Sequence, residues 1–358
     1  MRLIPLTLCG CALGCAAFAG GIDRTGQSVA AIFEDGDYAE FRLGVISPNV
    51  SGSGGGNDTG NVLESYVQWS AAYKRDVTDA FSMAVIIDQP FGANTKYPTG
   101  TGYPGAGAEA ELKTMAATFL GNYSLDGGFS IHGGVRAQSM SADSQVPFAA
   151  GYTGTSDTDY GFGYVVGVAY EKPEIAARVS LTYSSAIDHT FETTETNTHP
   201  LVPSPTTTDT DVSTPQSVNL EFQTGIMEDT LLFGSVRWVE WTKFDITPQG
   251  YQTISSGSLV SYDNDTITYS LGVGRRFSDA WSGAVTVGYE KSNGGLSANL
   301  GPTDGRTSVG VGATYTSGNM KLTGGLSYIK IGDANTSLGG SFTDNSAIAA
   351  GFKLGISL

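Results

Sequence analysis

Residues 348–358 read IAAGFKLGISL and carry the clearest fold signal of the chain. Every second position, from Ile348 to Leu358, is apolar, and the positions between them are Ala, Gly, Lys or Ser. Successive side chains of a β-strand point to opposite faces, so one face of this strand is apolar and the other is small or polar. Strands of soluble sandwiches also alternate, but a polar face made mostly of Gly, Ser and Thr is typical of a membrane barrel lumen.

The same alternation recurs along the chain and predicts fourteen strands. Short connections alternate with longer ones, as in bacterial outer-membrane barrels, where periplasmic turns are short and outer loops are long. An even number of strands predicts that both termini are periplasmic. The predicted strands lie near residues 39–48, 64–74, 80–88, 109–123, 128–140, 160–171, 175–186, 216–225, 230–242, 265–277, 280–290, 305–316, 319–330 and 345–358.

The predicted fold class is therefore all-β, a transmembrane antiparallel β-barrel over residues 39–358. Strands this short satisfy every backbone N–H and C=O in hydrocarbon only in a sheet without an edge. Fourteen strands enclose a lumen intermediate between a packed small barrel and an open porin. Residues 20–38 precede the first strand and are the candidate for a short N-terminal plug. The longest connection, about residues 187–215, is rich in Thr and Pro and is predicted to be an outer loop.

The first nineteen residues predict export. A positive start at Arg2 precedes an apolar run over residues 3–18 and a small-x-small cleavage site at residues 17–19, which together indicate a signal peptide. Two alternatives are an uncleaved anchor, for which the run is short, and a lipoprotein site at Cys15. All three cysteines lie in this segment, so the predicted mature chain has no disulfide and no thiol chemistry.

Charge and the scarcity of histidine exclude several classes of function. The full chain carries a net charge of −16, which disfavours nucleic acid as a partner. Acidic outer loops fit a lipopolysaccharide surface with its divalent cations, or are simply a solvated rim. The three histidines are His132, predicted to face the lumen, and His189 and His199, predicted to lie in the long Thr-rich loop. No pattern of nucleophile and base is present, so we expect no enzyme, no metal site and no cofactor.

Several stretches together resemble one known family, the FadL family of outer-membrane long-chain fatty acid transporters. Their order and spacing match those of the family, from the N-terminal region to about residue 244. The stretches are GIDRTGQ (21–27), IFEDG (32–36), YAEF (38–41), VISPNVSG (45–52), DQPFGA (88–93), TPQSVNL (214–220) and VRWVEWTKF (236–244).

The resemblance implies a fourteen-stranded barrel, an N-terminal plug, capture of a hydrophobic ligand by the loops and passive passage through a break in the wall. Two features depart from the family pattern. The segment before the first strand is short and lacks an Asn-Pro-Ala signature, and the chain ends at Leu358 where an aromatic residue is common. We therefore expect transport of long-chain fatty acids or similar hydrophobic molecules. The alternatives are transport of aromatic hydrocarbons, a general diffusion porin or a lipid-degrading barrel enzyme.

A fatty acid carrier needs a cation for the carboxylate, because burying an unpaired carboxylate is costly. Alternation points Arg136 and Arg178 into the lumen with Lys321 and Lys353, and less clearly Arg237; Arg24 lies in the predicted plug. The candidate ligand-binding cations are Arg24, Arg136, Arg178 and Arg237. The alternative is that these cations pair with lumenal acids such as Glu221 or Glu290.

Apolar residues in the predicted outer loops are the second candidate group. Met140, Phe148 and Tyr152 lie near Val146 and Pro147 in the third long loop and are predicted to bind ligand. Exposed apolar loops favour a capture surface, and the alternative is that the loops pack on one another over the barrel mouth. Residues 90 and 92, Pro and Gly, would end the third strand and mark either a wall opening or an ordinary turn.

Overall fold

The computed structural model describes residues 22–358, and the predicted signal peptide, residues 1–19, lies outside that range. The described chain forms fourteen antiparallel strands that close on themselves, because β1 pairs with both β2 and β14. The strands are β1 (Tyr38–Asn49), β2 (Tyr66–Thr78), β3 (Phe81–Asp88 and Gly92–Lys96), β4 (Glu109–Ser124), β5 (Phe129–Val146), β6 (Tyr152–Ser156 and Asp159–Lys172), β7 (Ala177–Ser184 and Ile187–Thr196), β8 (Thr206–Thr214 and Ser217–Met227), β9 (Thr230–Val239), β10 (Thr266–Arg276), β11 (Trp281–Glu290), β12 (Arg306–Ser317), β13 (Met320–Ile331) and β14 (Ser346–Ser357).

The outside of the barrel is apolar, which confirms the fold class predicted from alternation. In β14, Ile348 is 60% exposed on the outer face, whereas Lys353, on the inner face of the same strand, is 2% exposed. Apolar side chains that face lipid thus alternate with side chains that face the lumen. Large apolar side chains exposed on the outside include Val67, Phe119, Val135, Phe162, Val166, Leu181, Val285, Val311 and Tyr328.

Two strands are longer than predicted, and the Thr-rich connection after β7 is not a loop. Residues 187–196 and 206–214 form a paired hairpin that extends β7 and β8. Their side chains alternate between buried and exposed, and Thr has a high preference for strands, so the stretch fits a sheet despite its polarity. His189 consequently lies on β7 and is buried, which corrects its prediction as a loop residue.

Other ends of strands also differ from prediction. β5 continues to Val146, so Met140 and Val146 lie on a strand rather than in a loop. β3 does not end at Pro90 but resumes at Gly92. The glycine-rich stretch after β1 forms a hairpin of Gly52–Gly54 and Asn57–Asp58 that pairs with Ser341–Phe342.

The connections between strands differ at the two ends of the barrel. At the end that holds the beginning of β1 they are short, and two of them contain single 3-10 turns, Asp126–Gly128 and Pro173–Ile175. At the other end the connection from β9 to β10 contains the 3-10 turn Trp241–Lys243, the strands Asp245–Ile246 and Val260–Ser261, and helix α1 (Gln249–Ser255). No helix among the described residues is long and apolar enough to cross a membrane.

An apolar core fills the end of the barrel that carries the long connections. Phe91 packs edge-on against Trp241 with ring centroids 5.7 Å apart, and Tyr97 stacks on Tyr103 at the same distance. Burial raises the pKa of the Tyr97 hydroxyl, which donates a hydrogen bond to the backbone oxygen of Asn299 at 2.6 Å. The long connections therefore pack on one another across the mouth, which was the alternative to an exposed capture surface.

The residues before β1 lie inside the barrel. We call residues 22–37 the N-terminal segment; its only helical part is the 3-10 turn Ala30–Phe33. Val29 and Ile32 are buried in a second apolar cluster with strand residues Ile86, Leu120 and Val165. Contacts with β3, β4 and β6 together place the segment within the lumen.

Candidate functional site

The third strand is interrupted at Gln89, Pro90 and Phe91. Below the break β3 pairs with both neighbours, β2 and β4. Above it the resumed strand pairs with β4, and its other edge is bonded to residues 62–64, just before β2. Proline has no N–H to donate to a ladder, so it suits a position where pairing stops. The Gln89 side chain accepts a hydrogen bond from the Trp69 N–H at 3.0 Å, in place of a backbone partner. The wall thus has a short gap between β2 and residues 89–93, closed above by the contacts of residues 62–64.

The N-terminal segment covers the inner side of this gap. The Arg24 N–H donates to the Pro90 oxygen, and the Gly92 N–H donates to the Ile22 oxygen, both at 2.8 Å. Asp23 forms an antiparallel bridge with Phe91. Residues 22–24 therefore satisfy the backbone groups that the break in β3 leaves unpaired.

Arg24 is held at the gap by its side chain. Its Nη2 donates to Asn94 Oδ1 at 2.5 Å, and its guanidinium carbon lies 4.0 Å from the centroid of the Tyr66 ring. A cation over an aromatic face is attracted by the ring quadrupole. Burial lowers the pKa of Arg24 from its usual value, while Tyr66 and Glu111 act in the opposite direction. Arg24 Nε is buried and has no hydrogen-bond partner among the described residues.

A glycine makes room for this guanidinium. A Cβ on residue 92 would lie 2.5 Å from Arg24 Nε and 2.6 Å from Cζ. These distances are shorter than real carbon contacts allow, so any side chain at this position displaces Arg24. The sequence Pro90-Phe91-Gly92 thus both breaks the strand and leaves space for the cation.

Arg24 lines a cavity between the gap and the long connections. The cavity has a volume of about 80 Å³. Its walls are mainly apolar and aromatic, with charged groups where it approaches β4 and β5. The principal lining residues are Arg24, Leu63, Glu64, Tyr66, Glu111, Leu112, Asp143, Phe191, Phe244, Leu259 and Tyr262.

The connection from β9 to β10 forms the roof of the cavity. Phe244 and Tyr262 face it, and Trp241 packs against both rings at 6.1 and 5.4 Å. Helix α1 is fixed by Glu195 of β7, whose carboxylate accepts hydrogen bonds from the N–H groups of Gly250 and Tyr251, both at 3.0 Å. An acid at a helix N-terminus satisfies N–H groups that have no partner within the helix.

Polar contacts hold the N-terminal segment below the cavity. Arg237 Nε donates to Asp23 Oδ2 at 2.6 Å, and its Nη2 donates to Gln27 at 3.1 Å. Ser28 donates to Glu221 at 2.8 Å, and Thr25 donates to Asp88 at 2.5 Å. The segment is thus bound to three different strands, β3, β8 and β9.

The sequence-predicted cations occupy different environments. Arg24 lines the cavity, whereas Arg237 is paired with Asp23, an acid that the sequence did not point to. Arg136 faces inward and donates from Nε to Thr118 at 2.8 Å, and the Arg178 guanidinium lies 5.1 Å from the Phe33 ring. Lys353 is paired with Glu40 at 3.1 Å. Only Arg24 of the four predicted ligand-binding cations borders the cavity.

The predicted apolar ligand residues are packed into the core next to the cavity. Met140 and Tyr152 are fully buried, and Phe148 packs against the same cluster. The Tyr152 ring meets Tyr251 of α1 edge-on at 5.0 Å. These three side chains stay predicted ligand residues, and in this structure they support the wall and roof.

Sequence reasoning missed the cavity residues Phe191, Phe244 and Tyr262. Phe191 belongs to the hairpin predicted as a loop, where alternation of His189, Phe191 and Thr193 was an available signal. Phe244 and Tyr262 lie in an irregular connection whose fold no local pattern specifies. Among residues 22–358 no three His, Cys, Asp or Glu side chains come together as metal ligands would.

A closed barrel with an apolar exterior, an interrupted wall strand and an apolar lumenal cavity defines an outer-membrane transport protein. The chain belongs to the family described as outer membrane protein transport protein (OMPP1/FadL/TodX), whose model matches residues 20–346. Members of this family are transport channels for hydrophobic compounds rather than enzymes. The predicted family is thereby confirmed.

Solved structures share the fold at low sequence identity. A Pseudomonas aeruginosa FadL homologue is 14% identical with a TM-score of 0.72, covering 91% of this chain and 90% of that one. The P. putida toluene transporter TodX is 12% identical with a TM-score of 0.68, covering 92% of each chain. The Ralstonia pickettii toluene transporter TbuX is 14% identical with a TM-score of 0.64, covering 91% and 90%. The search of curated proteins gave no match.

Proposed function

We propose that the protein carries long-chain fatty acids or closely similar amphipathic molecules passively across the outer membrane. The observation that carries this proposal is Arg24, a buried guanidinium with an unpartnered Nε that borders an apolar cavity at the gap in the wall. A carboxylate enters an apolar site only with a charged hydrogen-bond donor to meet it. The apolar walls would hold the acyl chain, and Arg24 would receive the head group.

In this scheme the N-terminal segment is the plug. It lies inside the lumen, and its backbone pairs with the break in β3, so moving it would uncover the gap. Ligand would enter past the long connections, rest in the cavity and leave sideways between β2 and β3. No energy source or cofactor is needed, because the ligand moves down its own gradient into lipid.

The same scheme sets the orientation. We place both termini and the short turns in the periplasm and the long connections outside, since outer loops are the longer ones in bacterial barrels. The outer connections would then face lipopolysaccharide. The acidic balance of the chain, −16 in total, suits a surface rich in bound divalent cations.

A second candidate is transport of aromatic hydrocarbons. The cavity is small, about 80 Å³, and aromatic rings form much of its wall. Two of the similar structures are toluene transporters by their descriptions. A general diffusion porin is a weaker candidate, because the N-terminal segment and the packed connections fill the lumen.

The deciding test is uptake of a labelled long-chain fatty acid by cells that lack their own outer-membrane transporter and express this protein. We expect uptake above an empty-vector control, and competition by unlabelled fatty acid. The same cells are then given labelled toluene. Uptake of toluene alone, with the barrel shown to be folded in the outer membrane, would replace the fatty acid proposal by the second candidate.

A further inference from the structure

The wall has a second discontinuity, between β6 and β7. The two strands pair below it, up to Val165 and Ser184, and again above it, from Ser156 and Thr193 onward. Among the described residues no ladder pair joins 157–164 of β6 to 185–192 of β7. Single backbone hydrogen bonds close its two ends, from Ser185 to Tyr164 at 2.9 Å and from Asp157 to Glu192 at 3.1 Å. We call these two stretches the β6–β7 seam.

The seam exists because the two strands change face at opposite ends of it. In β6 the inward positions switch from even to odd numbers at residues 157–158, at the upper end. In β7 they make the same switch at residues 185–186, at the lower end. Between the switches an inward residue of one strand opposes an outward residue of the other. Ladder partners must share a face, so the pleats are out of phase and cannot pair.

One side chain closes the seam from inside. Ile187 is 3% exposed and packs over the backbone of β6. A Cβ on Gly161 would lie 2.4 Å from Ile187 Cγ2 and 2.6 Å from the Asp188 oxygen. The absence of a side chain at residue 161 is therefore what lets Ile187 and the backbone of β7 lie so close to β6.

A polar contact joins the same two stretches. His189 Nδ1 lies 2.9 Å from Asp159 Oδ2, and its Nε2 lies 3.1 Å from Gln138 Nε2 on β5. The Thr190 N–H reaches the same Asp159 oxygen at 3.4 Å. Side chains thus take the place of the missing ladder, and they can separate without breaking paired backbone.

The seam lies between the cavity and an outer surface that is aromatic on β6 and polar on β7, where Asp188 and Thr190 face outward. Ser156, Phe191 and Thr193, at its upper end, all line the cavity that Arg24 borders. On the outside of the seam, Tyr160 and Phe162 are 70% and 77% exposed. Unpaired backbone is tolerated at membrane depth only where protein or a water-filled cavity covers it, and here Ile187 and His189 provide the cover.

We propose that the β6–β7 seam opens sideways and is a second passage for apolar molecules between the cavity and the membrane, distinct from the gap at β3. This inference rests on the proposed function, since it assigns a further exit to the same cavity. Opening requires that Ile187 move away from Gly161 and that the polar contacts across the seam separate, chiefly those of Asp159 with His189 and Thr190. The chemistry of the passage suits a hydrophobic molecule, because an acyl chain or aromatic ring would slide between Ile187 and the outer face of Phe162.

The first test is a removable cross-link. No cysteine follows Cys15 in the sequence, so Gly163→Cys with Ile187→Cys introduces the only pair in the barrel. Gly163 is chosen because its new Cβ would meet only side-chain atoms, of Ser185 and Ile187. The close approach of the two residues suits the Cβ separation of roughly 3.5–4.5 Å that a disulfide spans. We expect uptake of labelled fatty acid to be severalfold slower in the oxidised variant and to recover on reduction.

A matched cross-link controls for stiffening of the wall. Gly310 and Ser327 are ladder partners on β12 and β13, and a Cβ on Gly310 would lie 2.7 Å from Ser327 Oγ. Gly310→Cys with Ser327→Cys should leave uptake unchanged on oxidation. Equal uptake by the oxidised and reduced forms of the seam variant would overturn the proposal, as would an equal loss in the control.

A second measurement needs no transport and separates the two proposals. The single variant Ile187→Cys, in lipid vesicles, is exposed to a maleimide dissolved in the membrane. We expect faster labelling than for Ala169→Cys, which is equally buried but lies in paired wall on both sides. Equal labelling of both cysteines contradicts an opening seam. If the reduced protein shows no uptake at all, the proposed function fails, and this labelling still decides the seam.

Discussion

Arg237 Nε lies 2.6 Å from Asp23 Oδ2, and this buried pair ties the N-terminal segment to β9. The residues on either side of Asp23 form backbone hydrogen bonds with Pro90 and Gly92 at the break in β3. The Asp23–Arg237 pair therefore helps to hold the segment over the gap in the wall.

Asp23→Asn removes the charge that Arg237 faces. Removing one partner of a buried pair commonly costs about 3–5 kcal/mol. Arg237 keeps Gln27, Ser217 and Asn219, so we expect a smaller loss, about 1–3 kcal/mol in docking of the segment. Ion conductance in planar bilayers should therefore rise. The control is Asp35→Asn, the same change at an exposed position of the segment. Unchanged conductance in Asp23→Asn would show that the segment does not block the lumen.

Gly92→Ala tests whether Arg24 must occupy its present place. The new Cβ would meet the guanidinium at 2.5 Å, so the cation moves and its bond to Asn94 is lost. We expect weaker binding of fatty acid, by about 1.5–3 kcal/mol for one charged hydrogen bond. Gly324→Ala on β13 has nothing within 4 Å of its new Cβ and serves as the control. Equal fatty acid affinity in both variants would argue against a role for Arg24.

Arg24→Gln distinguishes the two candidate ligands. A carboxylate loses a charge-assisted contact worth about 1.5–3 kcal/mol, which is roughly a tenfold to hundredfold loss of affinity. An uncharged aromatic hydrocarbon makes no such contact and should be bound almost unchanged. Titration of purified protein with both ligands gives the comparison, and Arg275→Gln, at an exposed position on β10, is the control. A similar loss for both ligands would mean that Arg24 acts by shaping the cavity.

Glu195→Gln weakens the attachment of the roof. One carboxylate oxygen becomes an NH2 group, which cannot accept from the N–H of Gly250 or Tyr251. Leaving a buried donor unsatisfied costs about 1–3 kcal/mol, so α1 should open more often. Limited proteolysis of intact cells should cut the connection from β9 to β10 faster. Glu192→Gln, exposed on the same strand, should not change the rate of cleavage.

The barrel was predictable because its signal is repeated and local. Each strand must present an apolar face to lipid, so alternation appears fourteen times, as in Ile348 and Phe352 of β14. The hairpin of residues 187–214 was not predicted because its outward face carries Asp, Thr and Glu instead of apolar residues. Buried and exposed positions still alternate there, but most residues at both kinds of position are polar, so the amino-acid composition does not show the alternation.

The site was predictable only in part. A lumenal cation was expected on chemical grounds, and Arg24 of the predicted plug borders the cavity, but strand alternation selected Arg136 and Arg178, and less clearly Arg237, which do not. What separates them is tertiary: Asp23 is 214 positions from its partner Arg237. Likewise, neither the face switch at residues 157–158 nor that at residues 185–186 predicts a seam by itself. The seam arises because the fold places the two switches at opposite ends of adjacent stretches of β6 and β7.

The contacts of the N-terminal segment also constrain the order of assembly. Ser28 bonds to Glu221 across 193 positions, and Gln27 meets Ser217 across 190. Neither contact exists until β8 has joined the sheet, so the first residues of the described chain are among the last to find their places. Contacts between residues far apart in sequence are slow to form. The segment therefore reaches its final position in the lumen only after the first eight strands of the wall have assembled.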